Sequence, residues 1–332
     1  MLRGLYYQPR LSNKLILVVL TKSLPITTIK SQMGNRLILT ITICFLLVLA
    51  SCGAPTHTSD ETPSPPTEEE PSQTTPTTPS QTAVELKVHF IDVGQGDSIL
   101  IDLGETEVLI DGGGKSPGVD TYLKGYVDGA LEVMIATHPH ADHIGGLIAV
   151  LDAFEVKEIW LNSDTSTSKT FQEFMNRVNA EGASINEALR GQSLTAGNLT
   201  FLILHPVKPL IDDTNNNSIV MRFSYGNVDF LFTGDAEKEA EASILGAGLM
   251  VQAEILKVGH HCSKTSSSPQ FLNTVKPQLA IYMAGKDNRY GHPHRETITA
   301  LTQVGAQIYG TDINGTITVT TNGEVFSVKT ER

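Results

Sequence analysis

The sequence is short of cysteine, with three in 332 residues. Cys44 falls inside an apolar run and Cys52 directly behind it, so residues 84–332 keep Cys262 alone and form no internal disulfide. Positive charge is scarce as well. Of the 24 Lys and Arg and the 36 Asp and Glu, residues 84–332 hold 18 and 31, a formal −13. A field of that sign argues against a high-affinity nucleic-acid binder held by a basic surface. It leaves room for an enzyme whose metal ions supply positive charge locally. The apolar run at 36–50, RLILTITICFLLVLA, falls short of the ~20 residues that cross a bilayer and reads as a targeting segment. Residues 53–83, rich in Pro, Thr, Ser and Glu, have almost no apolar side chains. They bury too little to offset chain entropy, which predicts a disordered, extended tether.

Ala50 and Ser51 before Cys52 resemble a bacterial lipobox, in which the cysteine is diacylated and becomes the mature N-terminus. Met33-Gly34-Asn35-Arg36 gives such a signal a short basic start, which places the true start at Met33. The expected organisation is a leader region over 1–52, a tether over 53–83 and a folded domain over 84–332. The domain then lies outside the cytoplasm, lipid-anchored to a bacterial membrane.

Within 84–332, β-branched runs bounded by Gly, Asp or Asn predict strands at 86–91, 98–103, 107–112, 131–137, 199–204, 218–223, 228–234, 254–258, 279–283 and 316–320. Phe171, Phe174, Met175 and Val178, with Gly182 as a stop, predict a helix. Ile144, Leu147, Ile148 and Leu151 repeat that spacing, so HPHADH at 138–143 sits where a strand gives way to a helix. Alternating strands and helices build their sites at such edges. Four ligand-type residues, His138, His140, Asp142 and His143, lie within one turn there; unpaired, they would cost desolvation with nothing gained. His205, Asp235 and the pair His260-His261 follow later strands, and His292 and His294 lie in a GHPH turn. Imidazole suits Zn, Mn or Fe, and carboxylate suits the harder of these.

HPHADH resembles the HxHxDH signature of the metallo-β-lactamase superfamily. With it, FIDVGQGDSILI (90–101), VLIDGGG (108–114), NNNSIVMRF (215–223), FLFTGDAEKEAE (230–241), LKVGHHCSKTSSS (256–268) and NRYGHPH (288–294) resemble the hydrolase domain of the competence protein ComEC and its free-standing relatives. The resemblance implies an α/β fold, the αββα sandwich of two mixed β-sheets flanked by helices, with a site for two divalent metal ions, Zn or Mn. Carried over by residue, one ion is held by His138, His140 and His205, and the other by Asp142, His143 and one of two adjacent histidines, His261 favoured over His260. Asp235 bridges them, Asn217 is the substitute should His205 not serve, and Asp111 orients a ligand from behind. One departure is that the HHGS of relatives reads HHCS here, with Cys262 for glycine. That matters if the glycine supplies a special backbone angle.

Two divalent ions would activate a water near neutral pH and stabilise the charge formed on attack, with Asp142 helping to steer the nucleophile. Phosphodiesters such as DNA or nucleotides suit the site; His260, Lys264 and Ser266 are placed to contact a phosphate, and His292 the leaving group. The expected function is a membrane-tethered, extracytoplasmic phosphodiesterase or nuclease. The alternatives are a hydrolase of another ester, an amide or a small phosphorylated compound, and a non-catalytic competence-related lipoprotein. Nothing in the sequence points to a protein partner.

Overall fold

A computed structural model describes residues 84–116 and 118–332. The apolar run, Cys52 and the 53–83 tether lie outside the described residues. Among the described residues no helix is long and apolar enough to cross a membrane.

The strands are β1 Leu86–Phe90, β2 Ile99–Asp102, β3 Glu107–Ile110, β4 Leu131–Ala136, β5 Val156–Leu161, β6 Ser184–Glu187, β7 Ser193–Ala196, β8 Leu199–His205, β9 Val220–Tyr225, β10 Val228–Phe232, β11 Ile255–Lys257, β12 Leu279–Tyr282, β13 Gln307–Gly310, β14 Ile317–Thr321 and β15 Phe326–Thr330. They form an eight-stranded sheet in the order β15-β14-β1-β2-β3-β4-β5-β6 and a seven-stranded sheet in the order β13-β12-β11-β10-β9-β8-β7. Each is mixed. In the first, pairing is antiparallel from β15 to β3 and parallel from β3 to β6; in the second it is antiparallel from β7 to β10 and parallel from β10 to β13.

Alternation along the strands explains how the sheets stack. On β10, Val228, Phe230 and Phe232 face a core between the sheets while Leu231 faces the other way. On β4, Val133 and Ile135 enter that central core and Leu131 and Met134 face outward. Helices α1 Val119–Leu123, α2 Ala141–Ile144, α3 Leu147–Ala153 and α4 Lys169–Glu181 cover the outer face of the larger sheet. Helices α5 Lys238–Gly246, α6 Pro269–Val275 and α7 Arg295–Gln303 cover that of the smaller, and a short α8 spans Thr311–Asn314. This is the αββα sandwich that the resemblance implied.

All ten expected strands are present, their bounds shifted by a residue or two at most. The helix around Phe174 is α4, capped by the Ser168 hydroxyl at its start and ended by Gly182 at φ 83°. The apolar stripe from Ile144 to Leu151 is split into α2 and α3 at Gly145-Gly146. A Cβ on Gly146 would come 2.0 Å from the Gly112 carbonyl, so backbone from the end of β3 packs directly onto this junction.

His89, inside β1, is buried against α1, with Nδ1 2.8 Å from the Tyr122 hydroxyl and its ring 4.5 Å from that of Tyr126. Burial pushes its pKa down to about 4, against the pull of Asp102. As pH falls from about 6.5 to about 4, the unfolded chain takes up a proton that the folded chain refuses, so stability drops across that window, by up to about 3 kcal/mol. In paired acid and denaturant titrations, His89→Phe should show a shallower decline over that window. An unchanged slope would remove His89 from the account.

Candidate metal centre

The sequence places side chains at the C-terminal ends of neighbouring parallel strands, and the two sheets turn those ends toward one point. From the larger sheet come Asp111 after β3 and His138 to His143 after β4. From the smaller come Asp235 after β10 and His260-His261 after β11. Asp235 Oδ2 lies 3.2 Å from His143 Nε2, 3.3 Å from His261 Nε2, 3.8 Å from His260 Nε2 and 3.9 Å from His138 Nε2. Asp142 Oδ2 stands 3.4 Å from His261 Nε2, and His138 Nε2 faces His140 Nδ1 at 3.0 Å.

What each ring does at its far nitrogen decides which nitrogen faces this point. Asp111 is fully buried and accepts from the Thr137 N–H (2.8 Å), the Thr137 hydroxyl (2.7 Å) and His143 Nδ1 (2.8 Å). With Nδ1 held in that bond, His143 presents Nε2 to Asp235, and it is the Nε2 proton that a metal would displace. His261 Nδ1 donates to the Met283 carbonyl at 2.9 Å, which frees its Nε2 in the same way. The Thr137 oxygen accepts from His138 Nδ1 at 3.1 Å, giving His138 the matching tautomer. Rings held from behind by a carboxylate, a carbonyl or a hydroxyl in this manner are oriented for a metal.

The buried atoms left without a partner point the same way. His143 Nε2 and His261 Nε2, which face Asp235 Oδ2, are buried and make no hydrogen bond. Buried polar atoms left unpaired in this way cost free energy, which a metal ion joining them in place of their protons would offset. Asp97, His143, Asp235 and His261 offer ligand atoms within 4.8 Å of one another, and the donor set of imidazole and carboxylate suits a divalent ion. Charge is arranged accordingly. Burial by itself would lower the pKa of His143, but Asp235 and Asp111 outweigh it and hold it well above the ordinary value; Asp235 and Asp97 do the same for His261. Burial would raise Asp235, but His143 and His261 outweigh it and keep that carboxyl well below its usual range. Burial, reinforced by His143, holds His138 well below its ordinary value.

One side of the cluster is open. The side chains of His138, His143, Asp235 and His261 are at most 3% exposed, against 22% for His260 and 33% for Asp142. On that side a cavity of about 290 Å³ is walled by His140, Asp142, His260 and His292, with Gln95, Asn215 and Tyr290 around them. A larger cavity, about 490 Å³, lies between α1 and the β14–β15 edge but includes none of these histidines, so donor chemistry and not size identifies the site.

Several sequence-derived placements need correcting. His205 is set apart from the cluster. Its Nε2 meets the Asn216 carbonyl at 2.7 Å, its Nδ1 lies 3.4 Å from the Arg190 guanidinium, and burial pushes its pKa down to about 4. The cause is local. Ile203 faces the central core, and alternation would aim His205 alike, but a bulge between the two turns His205 toward α5. Asn217, the substitute, is fully engaged with Asp164 and Ile211; Asn215, whose Oδ1 has no partner, is an amide on the cavity wall. Lys264 is exposed and does not line the cavity, and the Ser266 hydroxyl is spent on the Gly259 and Ser263 carbonyls. His260 is at the cavity, its Nδ1 2.8 Å from Glu237 Oε1, and so is His292, whose Nδ1 has no partner. His294 binds the Lys264 N–H instead.

Two participants went unrecognised in the sequence, Asp97 in the GQGDS loop and Lys257 at the end of β11. Cys262 sits at φ 66°, in a run of three left-handed residues with His260 and His261, so the backbone angle that favours glycine is adopted here by cysteine. Its thiol is buried in the outer core of the smaller sheet and pushed up by burial to about 12.

With this geometry established, comparison with known proteins is decisive for the family. The model of the metallo-beta-lactamase superfamily matches residues 91–286, more than half of the chain. The chain belongs to the metallo-β-lactamase superfamily. Within the superfamily it is similar to the ComE operon protein 3 of Bacillus subtilis, at 33% identity over 255 residues that cover 70% of this chain and 33% of that protein. It is also similar to the Recombination protein 2 of Haemophilus influenzae, at 29% identity over 242 residues that cover 70% of this chain and 28% of that one. It therefore spans about a third of the length of the curated relatives it matches, and the likeness to the ComEC hydrolase domain holds along that part. Among solved structures, the metallo-beta-lactamase fold protein YhfI of Bacillus subtilis aligns over 68% of this chain and 95% of its own at 16% identity, with a TM-score of 0.48. Superfamily membership together with the buried imidazole and carboxylate cluster supports a metal-dependent hydrolase.

Proposed function

We propose that this hydrolase is a phosphodiesterase, acting on DNA, nucleotides or a comparable phosphodiester through two divalent ions, Zn or Mn, and working outside the cytoplasm on a lipid anchor at Cys52. The observation that carries the reading is the convergence of four imidazole nitrogens on one oxygen, Asp235 Oδ2, at the floor of a solvent-facing cavity. When bound, the ions supply an activated water near neutral pH and stabilise developing negative charge. On the larger sheet, His138, His140, Asp142 and His143 would hold them; on the smaller, His261 and Asp235, with Asn215 as an amide on the cavity wall beside His260.

The remaining work falls to the cavity wall. Asp142, the most exposed carboxylate of the cluster, is placed to orient the attacking water. His260, backed by Glu237, and His292 stand where a leaving group departs. Arg289 is exposed and outside the cavity lining, as Lys264 is, but its guanidinium lies 4.9 Å from the ring centroid of Tyr290 on the cavity wall and donates to the Tyr290 hydroxyl, so the anion-holding role first given to Lys264 passes to it. Asn288 stiffens that rim by accepting from the Tyr290 and His292 N–H groups.

The test is hydrolysis of bis-p-nitrophenyl phosphate and single-stranded DNA by the purified chain with Mn or Zn added. Asp142→Ala should abolish metal-dependent cleavage. Arg289→Ala should raise KM several-fold and leave kcat nearly unchanged, whereas Lys264→Ala should change neither. Full metal loading without cleavage of either compound would reject the phosphodiester and favour another ester or an amide. Anchoring is checked separately, since Cys52→Ser should move the protein out of the membrane fraction; retention there would reject the lipid anchor.

A further inference from the structure

The donors of the site come in two halves, one from each sheet. His138, His140, Asp142 and His143 follow β4 of the larger sheet, and Asp235, His260 and His261 follow β10 and β11 of the smaller. The packing between the sheets, with the bond from the Ile219 N–H to the Thr137 carbonyl, sets the spacing of the halves. Toward the site that packing stops being apolar. On β11, Ile255 faces the central core and Leu256 the outer one, so alternation returns Lys257 to the space between the sheets. There its ammonium meets Asp97, which comes from the loop joining β1 and β2 of the opposite sheet.

Both side chains of this pair are almost wholly buried, at 1% and 2% exposure. Lys257 Nζ also donates to the Gly234 carbonyl at 2.9 Å and lies 3.9 Å from Asp235 Oδ1. Asp97 Oδ1 lies 3.2 Å from His261 Nδ1, and its Oδ2 lies 3.9 Å from His143 Nδ1. These are the rear nitrogens of both rings, since each Nε2 faces Asp235 Oδ2. Asp97 is thus behind the donor set, although its distance from the ligand atoms would suit a ligand. Its loop is fixed to the first half-site as well. The Asp97 N–H donates to the Asp142 carbonyl, and the Gly113 N–H donates to the Asp97 carbonyl. A Cβ on the preceding Gly96 would come 2.2 Å from the Asp142 oxygen. A buried lysine-carboxylate pair is a costly way to join two sheets that already share an apolar core.

We infer that Lys257 and Asp97 are positioning residues, a clasp across the two sheets that sets the spacing of the half-sites and turns Asp235 Oδ2 toward the imidazoles. Lys257 draws Asp235 Oδ1 rearward and so selects the other oxygen for the site. Asp97 backs His261, and with it the end of the smaller sheet, against the loop that carries Asp142. The clasp requires no bound ion, so it keeps the donors assembled in the metal-free protein.

The test uses the full chain and three variants: Lys257→Met, which keeps length and removes charge, Asp97→Asn, and the double substitution. Each single variant should lower the metal-free unfolding midpoint, and the double should lower it by less than the sum of the two. Loaded with Co(II), each should bind as many ions as the parent but show shifted d–d bands, and kcat should fall roughly tenfold or more with KM little changed. A folded Lys257→Met protein with the parent's Co(II) spectrum would reduce the pair to ordinary core and overturn the inference. So would Asp97→Asn binding one ion fewer, which would make Asp97 a ligand. If a single variant does not fold, the double, which buries no lone charge, carries the same spectroscopic test. The spectrum needs no turnover, so the clasp is decided even if the parent proves inactive on phosphodiesters.

Discussion

Asp235→Asn is expected to fold, to lose turnover by roughly a thousandfold or more, and to weaken divalent-metal binding by at least about a hundredfold. The substitution preserves shape and removes one charge. That charge is the one on which His138, His143, His260 and His261 converge, all with Nε2 within 3.9 Å of a single oxygen. An amide offers one neutral oxygen and a nitrogen that repels a cation, so the two half-sites would lose their common ligand. The metal-free variant should also titrate differently. With the principal charge that holds up His143 and His261 gone, both imidazoles should give up their protons at lower pH than in the parent, visible in the ring resonances of a histidine-labelled NMR sample. Retained metal affinity in a folded Asp235→Asn protein would dismantle the proposed donor set.

The informative companion is His205→Ala. The resemblance assigned His205 to the metal, whereas the structure turns it toward Arg190 and Asn216. The variant should keep its full complement of metal and its turnover while losing stability, because a buried ring and its bond to the Asn216 carbonyl disappear. Loss of an ion on its removal would restore the original assignment.

These two residues show where the sequence was legible. Both follow an apolar strand, and strand-end placement alone cannot separate them. The difference is one bulge in β8, a backbone event with no side-chain signature, and it reverses the face on which His205 emerges. The strands missed in the sequence have a shared cause. Four of the five, β6, β7, β13 and β15, are the outermost strands of the two sheets, where residues such as Ser184, Ser193, Gln307 and Lys329 face solvent and no continuous apolar run forms. The interior strands, each with at least one buried apolar or β-branched face, were all found except β5, whose VKEIWL is broken by Lys157 and Glu158. The HPHADH cluster was legible because its residues are adjacent in the chain. Asp97 and Lys257 were not, because a lone aspartate in a glycine-rich loop and a lone lysine on a strand read as surface until the fold closes one over the other.

Metal loading should respond to pH with a sign that the buried charges fix. In the metal-free protein Asp235, Asp111 and Asp97 hold His143 and His261 protonated well above the ordinary histidine range. An ion needs the neutral Nε2 of each ring, so it must displace up to two protons. Affinity should therefore rise with pH through neutrality, by up to roughly a hundredfold per pH unit while both rings are charged, and calorimetric titrations in buffers of different ionisation enthalpy should count the protons released. Stability must then move in opposite directions in the two states. A raised folded-state pKa contributes stability that is fully present below the unfolded value of about 6.5 and is lost as pH climbs through the folded value, so these two histidines make the metal-free protein less stable as pH rises. With metal in excess the same rise tightens binding, and binding to the folded state alone adds stability. The gap between metal-loaded and metal-free unfolding midpoints should widen from pH 6 to pH 8. A constant gap, together with no proton release, would mean that His143 and His261 are already neutral before metal arrives, and the electrostatic account of the centre would fail at its two most buried rings.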